Sequence, residues 1–500
     1  MFGKDLSEQG VLLLQDFPVL STLREHDRRG VDEMIKTVED CADFNRRYAE
    51  PRALEIDERI GRDPDFFDWD LVKAACKYRL LSLAVPKILG GIAGKYMVTN
   101  AMLAVEELCS VDAGTGAMIG ATGLGISPML TPGGMAHWDT VLHDVVEGEK
   151  TGNPILMAYA ITEPSAGTDV EEPEFLKVAR IGMEAKKVAG GYLLNGRKCF
   201  ISGGREAKYL TVCVATDHTR PLETWTTFLV DKDMEGFSCP RVELKMGQRI
   251  SHAAELLFED VFVPDSYVVG SEGEGMTNGI LSIMAASRGL VGAIGIGIAR
   301  GAFKNFLAWA RTPRNGKRPL DEERIQMALA DMKAAIQRSR GLCLNHSLAG
   351  DRIFGGLLTN PMMKGIFMMP RKMRLSKPYK AYQQSRLGKA LANQMMRILV
   401  SEEDMTDVLA LSSLAKFVGS DNAMMVTSRA LELMGADDSI ERRWMEKFYR
   451  DAKLTQIYEG TNQLNRLVVY DVDIAKTLHV EFPHPFKKGI YTDVKGPGGE

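Results

Sequence analysis

The stretches "YLTVCVAT" (residues 209–216) and "TWTTFLVD" (224–231) decide the fold. Both are short runs rich in Val, Thr and Phe, and the segment between them carries Asp and Pro, so they read as neighbouring strands with a turn. "FSCPRVEL" (237–244) and "AAELLFEDVFVP" (253–264) continue the pattern, which predicts a β unit from about residue 155 to 270. It holds too little helix for a βαβ sheet.

Working outward, the period changes on both sides. Upstream, "VDEMIKTVEDCADFNRRYAEPRA" (31–53) and "MVTNAMLAVEELCS" (97–110) repeat apolar residues at three- and four-residue steps, the period of an amphipathic helix. Downstream, helical periods return in residues 279–311, 321–345 and 403–434, and they predict a bundle. The expected architecture is α+β and multidomain: an N-terminal helical domain (1–154), a middle β-barrel or sandwich domain (155–272), a C-terminal helical bundle (273–480) and a weakly ordered tail (481–500). Residues 351–400, with the insertion itself at about 351–398, interrupt the bundle; Asp351 is their only acid, basic residues are frequent, and methionines come in pairs (362/363, 368/369, 395/396). Such a segment reads either as packing on the bundle or a subunit contact, or as a dock for an acidic protein or a membrane surface.

Composition narrows the function classes. A chain of 500 residues, 45% hydrophobic, with 62 basic and 66 acidic side chains, has a net charge of -4 and no overall field for nucleic acid. Seven scattered cysteines without a CxxC pair indicate neither a zinc site nor a disulfide framework, and a reducing, cytoplasmic setting is expected. No metal site is expected. The N-terminal residues lack a basic start and a cleavage site, and Arg288 and Arg300 break the most apolar window, so neither a signal peptide nor a transmembrane helix is read. "GAIGIGIARG" (292–301) contains GxG, but its period is helical and no strand precedes it; it reads as a small-residue face for close helix packing.

Four stretches carry candidate chemistry: "AYAITEPSAGTDV" (158–170), "NGRKCFISGG" (195–204), "GQRISHAAELLFEDVFVP" (247–264) and "RDAKLTQIYEGTNQLNR" (450–466). The first offers hydroxyls around a Pro-fixed turn, and the second an aromatic ring, a hydroxyl and two glycines. Such sets suit a flat heterocycle with hydrogen bonds at its edge and a ring against its face. In the fourth, Glu459 stands between an aromatic and a glycine.

In order and spacing, the four stretches resemble the acyl-CoA dehydrogenase family, from about residue 30 to 475 outside the 351–400 segment. The resemblance implies FAD as cofactor, an acyl-CoA substrate, an electron-transfer flavoprotein as acceptor, and a homo-oligomer, usually a tetramer, with FAD at a subunit contact. It implies Glu459 as the catalytic base, with its amide in the oxyanion site. Around the cofactor it places Tyr159, Ala160, Thr162, Gly167, Thr168, Phe200, Ser202, Tyr458, Thr461 and Gln463. Phe200 stands where the family often has tryptophan. On the substrate side it places Ser165, Arg288 and Gly460; His252 joins them, although it reads as a surface or pocket-rim histidine rather than a catalytic one. Where some members carry their base one residue before Arg288, this chain has Ser287.

Departures fall in the half that a neighbouring subunit would supply. "ARTPRNGKRPL" (310–320) lacks the usual phenylalanine, so Arg311 or Arg314 takes that contact; "ELMGADD" (432–438) has Glu432 for a glutamine, keeps Gly435, and has Ala436 for a glycine. A carboxylate there is unfavourable beside a pyrophosphate. The glycine-rich "GTGAMIGATGLGISPM" (114–129) is the expected acyl wall. An acyl-CoA oxidase, a decarboxylating or cyclic-acyl dehydrogenase, and a nucleic-acid-associated flavoprotein relative remain as alternatives.

Overall fold

The computed structural model describes residues 16–130 and 132–475. The reading of no signal peptide at the N-terminus and that of a weakly ordered tail at 481–500 fall outside the described residues. Helices of eight residues or more are numbered here in chain order.

The first helical unit comprises α1 (Pro18–His26), α2 (Arg28–Phe44), α3 (Ala53–Arg62), α4 (Trp69–Cys76), α5 (Met97–Cys109), α6 (Ala113–Ile126) and α7 (His143–Thr151). Side-chain caps fix several of their starts: Asp27 accepts from Gly30 N at 3.0 Å, and Asp112 from Thr115 N at 3.0 Å.

The middle unit is one eight-stranded sheet: β1 (Met157–Ala160), β2 (Glu184–Val188), β3 (Gly191–Ser202), β4 (Tyr209–Ala215), β5 (Trp225–Asp231), β6 (Phe237–Val242), β7 (Ala253–Pro264) and β8 (Val268–Val269). Its order is β6-β7-β3-β2-β4-β5-β8, with β1 added in parallel beside β4. Inward residues of strands far apart in that order, Phe228 and Val230 of β5 and Leu256 and Phe258 of β7, share one apolar cluster. The sheet therefore curls around its core, as the alternating strand pattern requires.

The bundle is built on α8 (Ser282–Arg311), α9 (Glu323–Gly350), α13 (Glu402–Met434) and α14 (Ile440–Thr455), with α15 (Asn462–Val469) closing it. The GxG stretch is a packing face. A Cβ added at Gly295 would lie 2.6 Å from Gly419 O, and one at Gly297 would lie 2.6 Å from Glu106 O, so α13 and α5 approach the α8 backbone there. By length and composition Gly279–Arg311 is apolar enough to cross a membrane, yet 78% of its apolar 18-residue window is buried inside the protein. It is the core helix of the bundle.

The segment between α9 and α13 folds as short helices, including α10 (Pro361–Met368), α11 (Lys377–Gln384) and α12 (Arg386–Leu399). It packs against the first helical unit. Asp351 accepts from Val98 N (2.7 Å) and Thr99 N (3.2 Å), and Arg374 grips Asp139 with two bonds of 2.7 and 2.8 Å. Met368 and Leu387 stay exposed, at 78% and 63%.

Candidate active site

The TEP loop leaves the end of β1 and is pinned to β3 by a fully buried ion pair. Lys198 Nζ donates to Glu163 Oε1 at 2.8 Å and to Ile161 O at 2.7 Å, while Glu163 Oε2 accepts from Gly182 N (2.6 Å) and Met183 N (3.0 Å). Burying two charges is unfavourable unless each is paired and hydrogen-bonded, and here both are. Beside them, Thr162 Oγ1 donates to Cys199 O at 2.5 Å, and Cys199 N returns a bond to Thr162 O at 3.0 Å. The β3–β7 register slips between Lys198 and Ile201, and Phe200 takes a φ of 58° within that bulge. The bulge turns the Phe200 ring outward, 64% exposed, next to the Thr162 loop and Ser202.

Glu459 lies in the turn between α14 and α15. Its φ of 56° and that of Gly460 at 73° are both left-handed. For a glutamate such a backbone costs about 1–3 kcal/mol, so the surroundings must hold it. They do so through main-chain carbonyls: Arg288 Nε donates to Glu459 O at 3.2 Å, Asn465 Nδ2 to Gly460 O at 3.0 Å, and Lys416 Nζ to Gly460 O at 2.7 Å. The carboxylate itself is aimed by the Ser287 hydroxyl, which donates to Oε2 at 2.7 Å. Burial raises the Glu459 proton affinity above that of an ordinary glutamate, against the opposing pull of Ser287, Arg288 and Lys416. Burial likewise pushes Lys416 down to about 7 and Glu171 up to about 7.

Of the residues expected from sequence, Ser287's neighbour Arg288, Glu459 and Gly460 meet at one point, and Tyr159 on β1 faces the Glu459 and Glu171 carboxylates. The Tyr159 hydroxyl accepts from Cys213 Sγ at 3.4 Å, and Ala160 is buried in β1. Thr168 opens the 3₁₀ turn Thr168–Glu171; before it, Gly167 N donates to Asp169 Oδ1 at 2.6 Å, and a Cβ on Gly167 would meet nothing. Ser165 Oγ closes its loop on Arg180 O (2.7 Å), Tyr458 donates to Gln248 Oε1 (3.2 Å), Thr461 caps α15, and Gln463 is exposed.

His252 requires correction. It is 1% exposed rather than at a surface or rim, and its two ring nitrogens are taken by Glu206 Oε1 (2.7 Å) and Phe66 O (3.0 Å). No ring nitrogen is left for a substrate. Within one chain, Arg311, Arg314, Glu432 and Gly435 do not join Glu459. Arg311 ends α8 while Ser287 stands near its start, about 36 Å away along the axis at ~1.5 Å per residue. There Arg314 pairs with Asp437 at 2.5 Å, and Glu432 with Arg429 at 2.7 Å, so the added carboxylate already has a partner.

Glu163, Lys198, Lys416, Asn465 and Glu171 were not singled out from sequence. A clear signal existed for one of them, the lone cation in "SSLAKFVG" for Lys416; Glu163 and Lys198 stand in the quoted motifs beside other charges, Asp169 and Arg197. Of the expected acyl-wall glycines, Gly114, Gly116 and Gly125 are closely packed, with added Cβ atoms at 2.6, 2.3 and 2.6 Å from their neighbours. At Gly120 a Cβ would meet nothing within 4 Å.

Profiles of the acyl-CoA dehydrogenase N-terminal, middle and C-terminal domains match residues 32–149, 158–261, and 273–364 with 380–472. The cyclohex-1-ene-1-carbonyl-CoA dehydrogenase of Geobacter metallireducens is 30% identical over 440 residues, covering 87% of this chain and 97% of its own. The short-chain-specific acyl-CoA dehydrogenase of Clostridium acetobutylicum is 29% identical, covering 85% and 94%. A solved chain from work on the electron transferring flavoprotein of Acidaminococcus fermentans superposes with a TM-score of 0.69 at 26% identity, covering 90% of this chain and 98% of that one. With the three domain profiles in order along most of its length, this chain belongs to the acyl-CoA dehydrogenase family of FAD-dependent oxidoreductases acting on CH-CH groups.

The residues present fit that cofactor. The outward Phe200 ring offers a face to a flat ring system, Thr162 and Ser202 offer hydroxyls beside it, and the open backbone at Gly167 admits a close approach.

Proposed function

We propose that this chain oxidises an acyl-CoA thioester to the 2-enoyl-CoA, with Glu459 as the base that takes the α-proton. The observation that carries this reading is the Glu459–Gly460 turn, in which a carboxylate of raised proton affinity is held on strained backbone and aimed by Ser287. Proton removal beside a thioester needs a fixed base shielded from water, and burial makes this carboxylate a stronger base. The Glu459 amide is the proposed donor to the thioester carbonyl. Arg288, Lys416 and Asn465 hold the main chain that carries both groups. FAD, when bound, supplies the hydride acceptor that no side chain provides. Phe200, Thr162, Ser202, Gly167 and Thr168 would hold it from the sheet.

Arg311, Arg314, Glu432 and Gly435 then serve the cofactor of a neighbouring copy, which makes the enzyme a homo-oligomer. Their distance from Glu459 supports this arrangement. The names of the relatives favour a short or a cyclic acyl group, and the open side of Gly120 supports room on α6. An electron-transfer flavoprotein is the proposed acceptor, in keeping with the Acidaminococcus neighbour. All seven cysteines are free, which supports a cytoplasmic setting.

The test is anaerobic mixing of the yellow protein with a panel of linear, cyclic and dicarboxylic acyl-CoAs. One of them is expected to bleach the flavin within a turnover, and Glu459→Gln is expected to retain FAD and lose bleaching by about 10²-fold or more. Undiminished bleaching in that variant places the base elsewhere. Turnover that stops without oxygen, despite an added carrier, identifies an oxidase instead.

A further inference from the structure

Beside the base sits a second carboxylate. Glu171, at the end of the Thr168–Glu171 turn, is 6% exposed, and its Oε2 lies 3.5 Å from Arg288 Nη2. Both atoms are buried and neither closes a hydrogen bond. The Gly460 main chain adjoins them: a Cβ there would stand 3.0 Å from Glu171 Oε2 and 3.2 Å from Arg288 Nη2. Glu171 is thus separated from the Glu459 backbone by a single residue of packing.

The charges around this point do not balance. Glu171 and Glu172 come from one loop, and Arg288 Nη1 donates to Glu172 Oε1 at 3.3 Å. Glu459 comes from the α14–α15 turn, Arg288 from α8 and Lys416 from α13, while Tyr159 faces the group from β1. Farther out, Asp421 acts on Lys416 and Asp471 on Glu172. One buried carboxylate, Glu171, and two half-buried ones, Glu172 and Glu459, face two cations, Arg288 and Lys416, so full ionisation would leave negative charge in excess where little water reaches. A retained proton removes that excess. Hydrogen bonding favours Glu459 as the charged group: its Oε2 receives the Ser287 hydroxyl at 2.7 Å, whereas Glu171 Oε2 receives no side-chain donor and has only the Gly460 main chain and, at 3.5 Å, Arg288 Nη2 beside it.

We propose that Glu171 is a positioning residue for the dehydrogenation, taking up the surplus proton of the buried cluster so that the negative charge rests on Glu459. This rests on Glu459 being the base. The two groups titrate as a pair: while Glu171 is uncharged Glu459 ionises readily, and once Glu459 has taken the substrate proton, Glu171 releases its own more easily. Burial raises Glu171 to about 7, so the hand-over falls near neutral pH.

The test reads Glu171 without turnover. In difference infrared spectra of the holoenzyme labelled with isotope-substituted glutamate, a protonated glutamate band is expected to disappear as pH rises through neutrality. Asp351, raised by burial to about the same value, gives an unlabelled band and serves as an internal control. Glu171→Gln is expected to lose the glutamate band, and its profile of flavin bleaching against pH is expected to lose the step near neutrality. Glu171→Asp is expected to replace the labelled band with an unlabelled carboxyl band that disappears over the same pH range, and to keep the step in bleaching. A labelled band that survives in Glu171→Gln, a wild-type enzyme without such a band, or an unchanged bleaching profile overturns the proposal. Failure of the base assignment is recognised separately, by bleaching that persists in Glu459→Gln while the Glu171 band behaves as described.

Discussion

Glu163 and Lys198 are the residues whose loss the site should tolerate least. Neither side chain retains any exposure, and between them they hold Ile161 O, Gly182 N and Met183 N. Removing one partner strands the other as an unpaired charge, a loss of about 3–5 kcal/mol. Lys198→Met is therefore expected to lower unfolding stability by that order in denaturant titrations and to weaken FAD retention through the loosened Thr162–Cys199 contact. Lys198→Met combined with Glu163→Gln is expected to recover part of the loss, because the stranded charge is gone. None of this pairing was legible in the chain. Spacing marked the two motifs, but nothing in it says which carboxylate meets which ammonium across 35 positions. The same holds for Ser287 and Glu459, 172 positions apart. Ser287 was noted only as the absence of an alternative base, and its part as the hydrogen-bond donor to Glu459 emerges from the fold.

At the scale of elements, periodicity was the reliable guide. The three helical stretches after residue 275 and the β runs between 155 and 270 fall on observed elements, because burial of one face imposes its period on the sequence. The glycine face of α8 was readable for the same reason. Gly295→Ala is expected to destabilise the protein by about 1–3 kcal/mol, since its new methyl would meet the Gly419 carbonyl, and thermal denaturation measures it. Gly120→Ala, whose methyl would meet nothing, is the matched control and is expected to leave stability nearly unchanged. Less legible was the basic segment. Its charges left two readings open, packing within the molecule or an outside partner; Arg371 and Arg374 are engaged by Asp139 and Arg352 is paired with Asp404, in keeping with the first. Composition counts charges without showing which are already neutralised inside the fold.

For the whole molecule, Ser287 beside the Glu459 carboxylate and Arg311 stand toward opposite ends of a 30-residue helix. Under the proposed arrangement each FAD is closed in by a second chain, so retention of the cofactor should depend on assembly. Dilution is expected to release flavin and dissociate the oligomer together, followed by flavin fluorescence and sedimentation. Arg311→Ala with Arg314→Ala is expected to shift both to higher protein concentration while leaving the Glu459 turn intact. Flavin held equally well by isolated chains would rule out the shared site.

The unbroken rod of α8 also carries a genetic corollary. Under the proposed shared site, a lesion near Ser287 would harm only the chain that bears it, whereas a lesion at Arg311 would be felt by a sister. Mixed assemblies of the two kinds of mutant would therefore complement one another, and alleles that are separately silent would sort by their position along a single helix.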